Sequence, residues 1–137
     1  MNDQLEVTLA NKGSEVARMQ GQLEVFAKRY GLAAYLLHKV QLALEEHLTN
    51  IVSYGYADKL EHQIKVRIQL NAYELRIQVE DDGHAFNPLE QPAPELSKPI
   101  EERPIGGLGI HMMRKSLDKI EYRRADEKNI LVMIKHI

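Results

Sequence analysis

The sequence predicts an α+β fold built as a two-layer sandwich, with three helices on one face of a mostly antiparallel sheet. Apolar residues recur every three or four positions in three segments, which is the spacing of one helix face. In other segments they alternate with polar residues, which is the spacing of a half-buried strand. These strand segments come mainly in consecutive pairs, and such pairs are typical of antiparallel hairpins. The predicted order is strand, helix, helix, strand, strand, helix, strand, strand.

The first half of the chain contains one predicted strand and two predicted helices. Leu5, Val7 and Leu9 alternate with polar residues and indicate the strand. The apolar sides of the two helices consist of residues three or four positions apart: Val16, Met19, Leu23, Phe26 and Tyr30 in the first, and Leu37, Val40, Leu44, Leu48 and Ile51 in the second. Gly31 is expected to end the first helix, because glycine readily adopts the left-handed backbone found after helix ends.

The second half is predicted to contain two hairpins separated by a long loop and a helix. Residues 64–70 and 73–79 alternate on either side of Asn71-Ala72 and indicate the first hairpin. The loop spans about residues 87–105 and contains all five prolines. A helix with Ile110, Met113 and Leu117 on its apolar side follows the loop. Residues 120–124 and 129–137 indicate the closing hairpin.

Composition indicates one domain over residues 1–137 and excludes several classes of protein. The formal net charge is -2 and the charged residues are interleaved, so no nucleic-acid-binding surface is indicated. The chain has no cysteine, which excludes disulfides and thiolate metal sites, and its six histidines lack zinc-ligand spacing. The N-terminus does not resemble a signal peptide, and no apolar run is long enough to cross a bilayer. We therefore expect a cytoplasmic protein.

Glu46 and Asn50 form the first candidate functional pair. They are four residues apart on the second helix, so both side chains lie on one stripe, away from Leu44 and Leu48. A carboxylate can activate a nucleophile, and an amide oxygen one turn away can bind a hard cation. The alternative is an ordinary solvated helix face, to which we also assign Glu45 and His47.

Asp81 is the second candidate. Tyr73, Leu75, Ile77 and Val79 are predicted to share the buried face of a strand, and Asp81 is the next residue of that parity. A buried carboxylate is costly unless it is hydrogen-bonded or paired, which favours a ligand-binding role. Gly83 lets the backbone turn tightly or lets a ligand approach. The alternative is that the strand has already reached solvent at Asp81 and that Asp82-Gly83 is a plain turn.

Gly106-Gly107-Leu108-Gly109 is the third candidate, because it opens the last predicted helix. Unobstructed backbone N–H groups and the positive end of a helix dipole suit a phosphate. Arg103 and Lys98, in the loop just before, are cations placed to reach such a phosphate, although the alternative is that they are exposed loop charges without a function. A flexible hinge explains the glycines nearly as well. The pattern matches neither a Walker A loop nor a dinucleotide-binding fingerprint.

Together these segments resemble the GHKL ATPases, which include gyrase, heat-shock chaperones and sensor histidine kinases. LALEEHLTNIVSYGY resembles their N box, and VEDDGHAFNP resembles their first glycine box. GGLGIHMMRKSLDKIEYRR, followed by NILVMIKHI, resembles the second glycine box and the final hairpin. The short E-x-x-T-N form of the N box, from Glu46 to Asn50, is most similar to that of bacterial anti-sigma-factor serine kinases of partner-switching systems.

The resemblance implies a Bergerat-type ATP-binding fold and a role for each candidate residue. It implies that Glu46 is the general base and that Asn50 coordinates Mg²⁺. It further implies that Asp81 accepts the adenine amino group, with Gly83 making room beside it.

The resemblance also concerns the phosphates and the last strand. It implies that Gly107, Leu108 and Gly109 lie along the phosphates, near Arg103, and that the loop of about residues 87–105 is the ATP lid. Members of the family commonly carry a threonine in the last strand whose hydroxyl helps to hold the adenine site. The matching position here is taken to be Val132, so we expect one hydrogen bond fewer and a modest nucleotide affinity.

The function implied by the resemblance is that of a protein-serine kinase that binds a sigma factor and phosphorylates an anti-sigma-factor antagonist, with a homodimer as its possible assembly. The alternative is a nucleotide-gated protein-binding module that does not transfer phosphate. A histidine kinase is disfavoured, because no helical phosphoacceptor hairpin precedes the first strand.

Overall fold

The computed structural model of the chain describes residues 3–90 and 107–137. Its helices and strands are β1 (Asp3–Ala10), α1 (Gly13–Arg29), α2 (Ala34–Tyr54), β2 (Gln63–Leu70), β3 (Glu74–Asp81), α3 (Gly107–Ser116), β4 (Lys119–Ala125) and β5 (Lys128–His136). A short 3-10 turn at Pro88–Glu90 follows β3. The predicted order of elements is confirmed.

The five strands form one sheet in the order β1-β2-β3-β5-β4, and every neighbouring pair is antiparallel. Alternate residues of the strands pack with the helices in one apolar core. The core members contributed by β3 and β5 are Leu75, Ile77, Val79, Leu131 and Met133. The predicted α+β class, with three helices on one face of an antiparallel sheet, is confirmed.

α2 is the central helix of the helical layer, because it contacts both α1 and α3. The side chain of Gln20 joins α1 to α2, since its Nε2 donates to the carbonyl oxygen of Gln41 at 2.9 Å. α1 ends as predicted at Gly31, which has a φ of 73°, and the N–H of Leu32 donates back to the carbonyl oxygen of Ala27. Among the described residues, no helix is both long and apolar enough to span a bilayer.

β5 is apolar on both faces, which is why its sequence does not alternate. Leu131 and Met133 face the helices and belong to the common core. Ile130, Val132 and Ile134 lie on the opposite face of the sheet and are also buried. β3 and β4 flank β5, and Glu80 and Arg123 stand on either side of Ile130 on this face.

Tyr73 is not part of the buried face of β3, and that prediction is wrong. β3 begins at Glu74, and the side chain of Tyr73 is 80% exposed. The Oδ1 of Asn71 accepts hydrogen bonds from the backbone N–H groups of Tyr73 and Glu74, at 2.8 and 2.9 Å. This side-chain cap extends the turn beyond the two expected residues, so the apolar face of β3 begins at Leu75.

Candidate functional site

Glu46 and Asn50 lie together on α2, where both side chains are half-buried. The Nδ2 of Asn50 donates to the Oε1 of Glu46 at 3.1 Å. This hydrogen bond turns the amide so that its carbonyl oxygen points away from Glu46. Among the described residues, no donor satisfies that carbonyl oxygen. The pair therefore presents one carboxylate and one amide oxygen, as a proton acceptor and a cation ligand require.

The position of this pair on α2 is set by the helix geometry. Gln20 of α1 meets α2 at Gln41 and Glu45. A helix turns by about 100° per residue, so the stripe of Glu46 and Asn50 is rotated away from the side that contacts α1. α2 contacts α3 as well as α1.

Asp81 ends β3 on the helix-facing side of the sheet, as predicted, and is only 4% exposed. Its Oδ1 accepts hydrogen bonds from the Nδ2 of Asn129 at 3.0 Å and from the N–H of Gly83 at 2.9 Å. Burial raises the pKa of Asp81, whereas these two hydrogen bonds oppose the rise. The alternative of a solvated strand end is wrong. Within the described structure, Oδ2 accepts no hydrogen bond.

Gly83 is required by the close approach of two segments. A Cβ atom at this position would lie 2.6 Å from the carbonyl oxygen of Gly55 and 2.9 Å from the Oδ1 of Asp81. The N–H of His84 donates to the same carbonyl oxygen of Gly55 at 3.0 Å. The turn after Asp81 is thereby joined to the end of α2, the helix that carries Glu46 and Asn50. One contact thus links the segment after Asp81 to the helix that carries the other candidate pair.

Asn129 is a partner of Asp81 that the sequence did not reveal, and the placement of Val132 at the adenine site is wrong. The register pairs Asp81 with Asn129, whereas Val132 lies opposite Gln78. Strand alternation places Val132 on the face of the sheet away from the helices, where it cannot reach Asp81. Asn129, and not Val132, is the residue of β5 that donates a hydrogen bond to Asp81. Pairing β5 with β3 so that Leu131 stands beside Val79 would have identified it.

His47 was also assigned wrongly, because it is 3% exposed and does not lie on the helix surface. It is four residues before Ile51, so it falls on the covered side of α2 next to the stripe of Glu46 and Asn50. No described residue hydrogen-bonds to either ring nitrogen. Burial lowers the pKa of His47 to about 4 from 6.5, so the ring is neutral at pH 7.

Replacing His47 with Leu is expected to stabilise the fold and to weaken its sensitivity to acid. Above pH 6.5 the neutral ring costs only its unmet hydrogen bonds, about 1–3 kcal/mol. Between pH 6.5 and about 4 the unfolded chain binds a proton that the folded chain excludes. The free energy of unfolding therefore decreases as the pH is lowered through this window, by about 3 kcal/mol in total.

Urea unfolding at pH 7.5 and pH 5 measures this effect, with the wild type compared to His47→Leu at both pH values. A matched control is His38→Leu on the exposed side of the same helix. Equal losses of stability on acidification in the wild type and in His47→Leu would show that His47 is protonated in the folded chain.

The glycine segment opens α3, as predicted, since the helix begins at Gly107. Gly107, Leu108 and Gly109 thus form its first turn, where backbone N–H groups are free of helical partners. Arg103 and Lys98 lie outside the described residues.

Of the predicted lid, residues 87–105, only the first four residues belong to the described part of the structure. Of these, Pro88 is buried, and the carbonyl oxygen of Leu89 accepts a hydrogen bond from the Nη2 of Arg114 in α3. The start of this segment is therefore anchored to α3.

Two of the described residues have the chemistry that a nucleotide with magnesium requires. The free oxygen of Asp81 suits an amino group of a base, and the amide oxygen of Asn50 suits a hard cation that is also held by phosphates and water. The described residues contain no cluster of three His, Asp or Glu that would hold a metal without such help.

Comparisons with known proteins show which family this fold belongs to. The model of the histidine kinase-like ATPase domain matches residues 9–135. Serine-protein kinase RsbW of Bacillus thuringiensis is 29% identical over 139 residues, which cover 98% of this chain and 86% of the relative. Serine/threonine-protein kinase BtrW of Bordetella bronchiseptica is 28% identical over 114 residues, which cover 83% of this chain and 80% of the relative.

A solved structure shows the same fold. The crystal structure of the RsbU and RsbW domains of a Mycobacterium tuberculosis protein superposes with a TM-score of 0.69 at 15% identity. The match covers 97% of this chain and 31% of that one. The family match over residues 9–135 shows that this protein belongs to the histidine kinase-like ATPase domain family, the GHKL type that its three motifs resemble.

Proposed function

We propose that this protein is an ATP-dependent protein-serine kinase that acts as an anti-sigma regulatory factor. The observation that carries the proposal is the half-buried pair of Glu46 and Asn50, joined by a 3.1 Å hydrogen bond inside an ATPase fold. ATP binding alone requires no carboxylate beside the metal ligand, whereas transfer to a hydroxyl benefits from one. The names of the relatives support the same activity.

Each residue of the site has one task in this proposal. Asp81 accepts a hydrogen bond from the amino group of adenine. The first turn of α3, at Gly107, Leu108 and Gly109, directs its N–H groups at the phosphates. Asn50 holds Mg²⁺, which supplies charge neutralisation at the phosphates when it is bound. Arg103 is proposed as an additional cation for the phosphates.

Glu46 acts on the protein substrate. Its carboxylate accepts the proton of the serine hydroxyl while the serine oxygen forms a bond to the γ-phosphorus. The bond between the γ-phosphorus and the β–γ bridging oxygen breaks, and the electron pair leaves with ADP. The products are phosphoserine, ADP and a protonated Glu46, which then releases its proton to water.

The proposed protein partners are a sigma factor and an anti-sigma-factor antagonist, and the proposed assembly is a homodimer in the cytoplasm. The support is the likeness to RsbW along nearly the whole chain. The alternative is a nucleotide-gated module that binds the same partners without phosphorylating them. The arrangement of Glu46 and Asn50 favours the kinase.

The experiment that tests the proposal is transfer of label from γ-labelled ATP with Mg²⁺ to a purified antagonist protein. Label on one serine of the antagonist, lost when that serine is replaced by alanine, is the expected result. A nucleotide-dependent complex that remains unlabelled would replace the kinase with the binding module. Failure of the chain to bind ATP at all would contradict both.

A further inference from the structure

The side chain of Asn129 is the centre of a buried polar network around Asp81. Its Nδ2 donates to the Oδ1 of Asp81 at 3.0 Å and to the carbonyl oxygen of His84 at 2.9 Å. Its Oδ1 accepts from the hydroxyl of Tyr122 at 2.5 Å and from the N–H of Phe86 at 3.3 Å. Rotating the amide by half a turn would direct its NH₂ at these donors, so the orientation of Asn129 is fixed.

Arg124 adds a third donor and connects the network to two loops. Its Nη1 donates to the Oδ1 of Asn129 at 3.0 Å and to the carbonyl oxygen of Gly83 at 3.1 Å. Its Nη2 donates to the carbonyl oxygen of Glu127 at 3.3 Å. Glu127 lies in the turn between β4 and β5, where two consecutive residues adopt left-handed backbone angles. One guanidinium thus ties this turn to the segment after Asp81.

The orientation of Asn129 determines which oxygen of Asp81 is free. The Oδ1 of Asp81 already accepts from Asn129 and Gly83, so a ligand meets only Oδ2, within the described structure. A carboxylate oxygen accepts and does not donate. A purine with an amino group at C6 donates to this oxygen. A purine with a carbonyl at C6 places one acceptor against another, which leaves both without a hydrogen bond.

We propose that Tyr122, Arg124 and Asn129 are positioning residues that set the base preference of this site, by holding Asp81 with one oxygen directed at the C6 amino group. This inference rests on the proposed function, because it takes the purine to bind at Asp81. It adds to that function three residues that act through Asp81 without contacting the nucleotide.

The first test compares ADP with IDP, which has a carbonyl at C6 and the same sugar and phosphates. Affinities with Mg²⁺ are measured by calorimetry for the wild type, Asn129→Thr and Asn129→Val. Threonine and valine have the same shape, and both remove the amide oxygen that accepts from Tyr122 and Arg124. Only threonine retains a donor for Asp81. We expect the preference for ADP over IDP to fall about tenfold or more from Asn129→Thr to Asn129→Val.

The second test compares two adjacent arginines of β4. Arg124→Met removes the donor to Asn129 and Gly83, whereas Arg123→Met removes the same charge from the other face of the sheet. We expect Arg124→Met to lower the preference for ADP over IDP about three- to tenfold. Arg123→Met is expected to leave it at the wild-type value. A change of ADP and IDP affinity by the same factor in Arg124→Met would indicate a merely structural role and overturn the proposal.

The two proposals fail in different ways. If the wild type binds ADP and transfers phosphate, but Asn129→Val and Arg124→Met keep the wild-type preference, the positioning network is wrong and the proposed function stands. If the wild type binds neither ADP nor IDP, the proposed function is wrong, and so is the proposed role of the network in base preference. Should Asn129→Val not fold, the comparison of the two arginine variants still decides the inference.

Discussion

Replacing Glu46 with Gln is expected to lower the rate of phosphotransfer about a hundred- to ten-thousand-fold while nucleotide affinity stays close to that of the wild type. Glutamine cannot accept the serine proton. It can still accept the hydrogen bond from the Nδ2 of Asn50, so the orientation of the proposed magnesium ligand is preserved. Single-turnover transfer from γ-labelled ATP to the antagonist gives the rate, and calorimetry with ADP and Mg²⁺ gives the affinity.

Two matched variants make this result specific. Glu45→Gln changes the neighbouring glutamate, which is exposed and contacts Gln20 of α1, and should transfer phosphate at the wild-type rate. Asn50→Ala removes the proposed magnesium ligand and should weaken magnesium-dependent binding and transfer together. Wild-type transfer by Glu46→Gln would show that Glu46 is not the base. An ordinary solvated helix face predicts no effect from either Glu46→Gln or Asn50→Ala.

Replacing Asp81 with Asn should abolish most of the stabilisation by nucleotide. In the wild type, a ligand at one hundred times its Kd stabilises the fold by about 2.7 kcal/mol, or roughly 8–12 °C in Tm for a domain of this size. An asparagine here must direct its oxygen at the N–H donors of Asn129 and Gly83. Its NH₂ group then faces the amino group of the base, so two donors meet.

The same variant should fold well without nucleotide, which separates lost binding from lost structure. Burial raises the pKa of Asp81 because it disfavours the charged carboxylate in the folded chain, and a neutral amide removes this cost. The Tm of nucleotide-free Asp81→Asn should equal or exceed that of the wild type at pH 7. Asp82→Asn is the control, because Asp82 is exposed and hydrogen-bonds to Tyr56. A full thermal shift in Asp81→Asn would disprove the adenine assignment.

The sequence by itself determined the order of the elements, the α+β class and the residues of the three motifs. These depend on local periodicity: apolar residues that recur along α1 and α2 bury one side of each helix, and alternation along β2 and β3 buries one side of each strand. The same local pattern gave Asp81 the parity of the buried face and put Glu46 and Asn50 on one stripe, whereas the burial of Asp81 itself was decided by the structure.

Only the tertiary structure decided which residues support these motifs. Val132 and Asn129 are both in β5, and the pairing of β5 with β3 determines which of them meets Asp81. That register is a contact between segments 48 residues apart. His47 is buried because neighbouring elements cover more of the surface of α2 than the positions of its apolar residues alone indicate. Local periodicity does not report contacts between elements that are distant in sequence. The partner of Asp81 and the burial of His47 could therefore be assigned only from the folded structure.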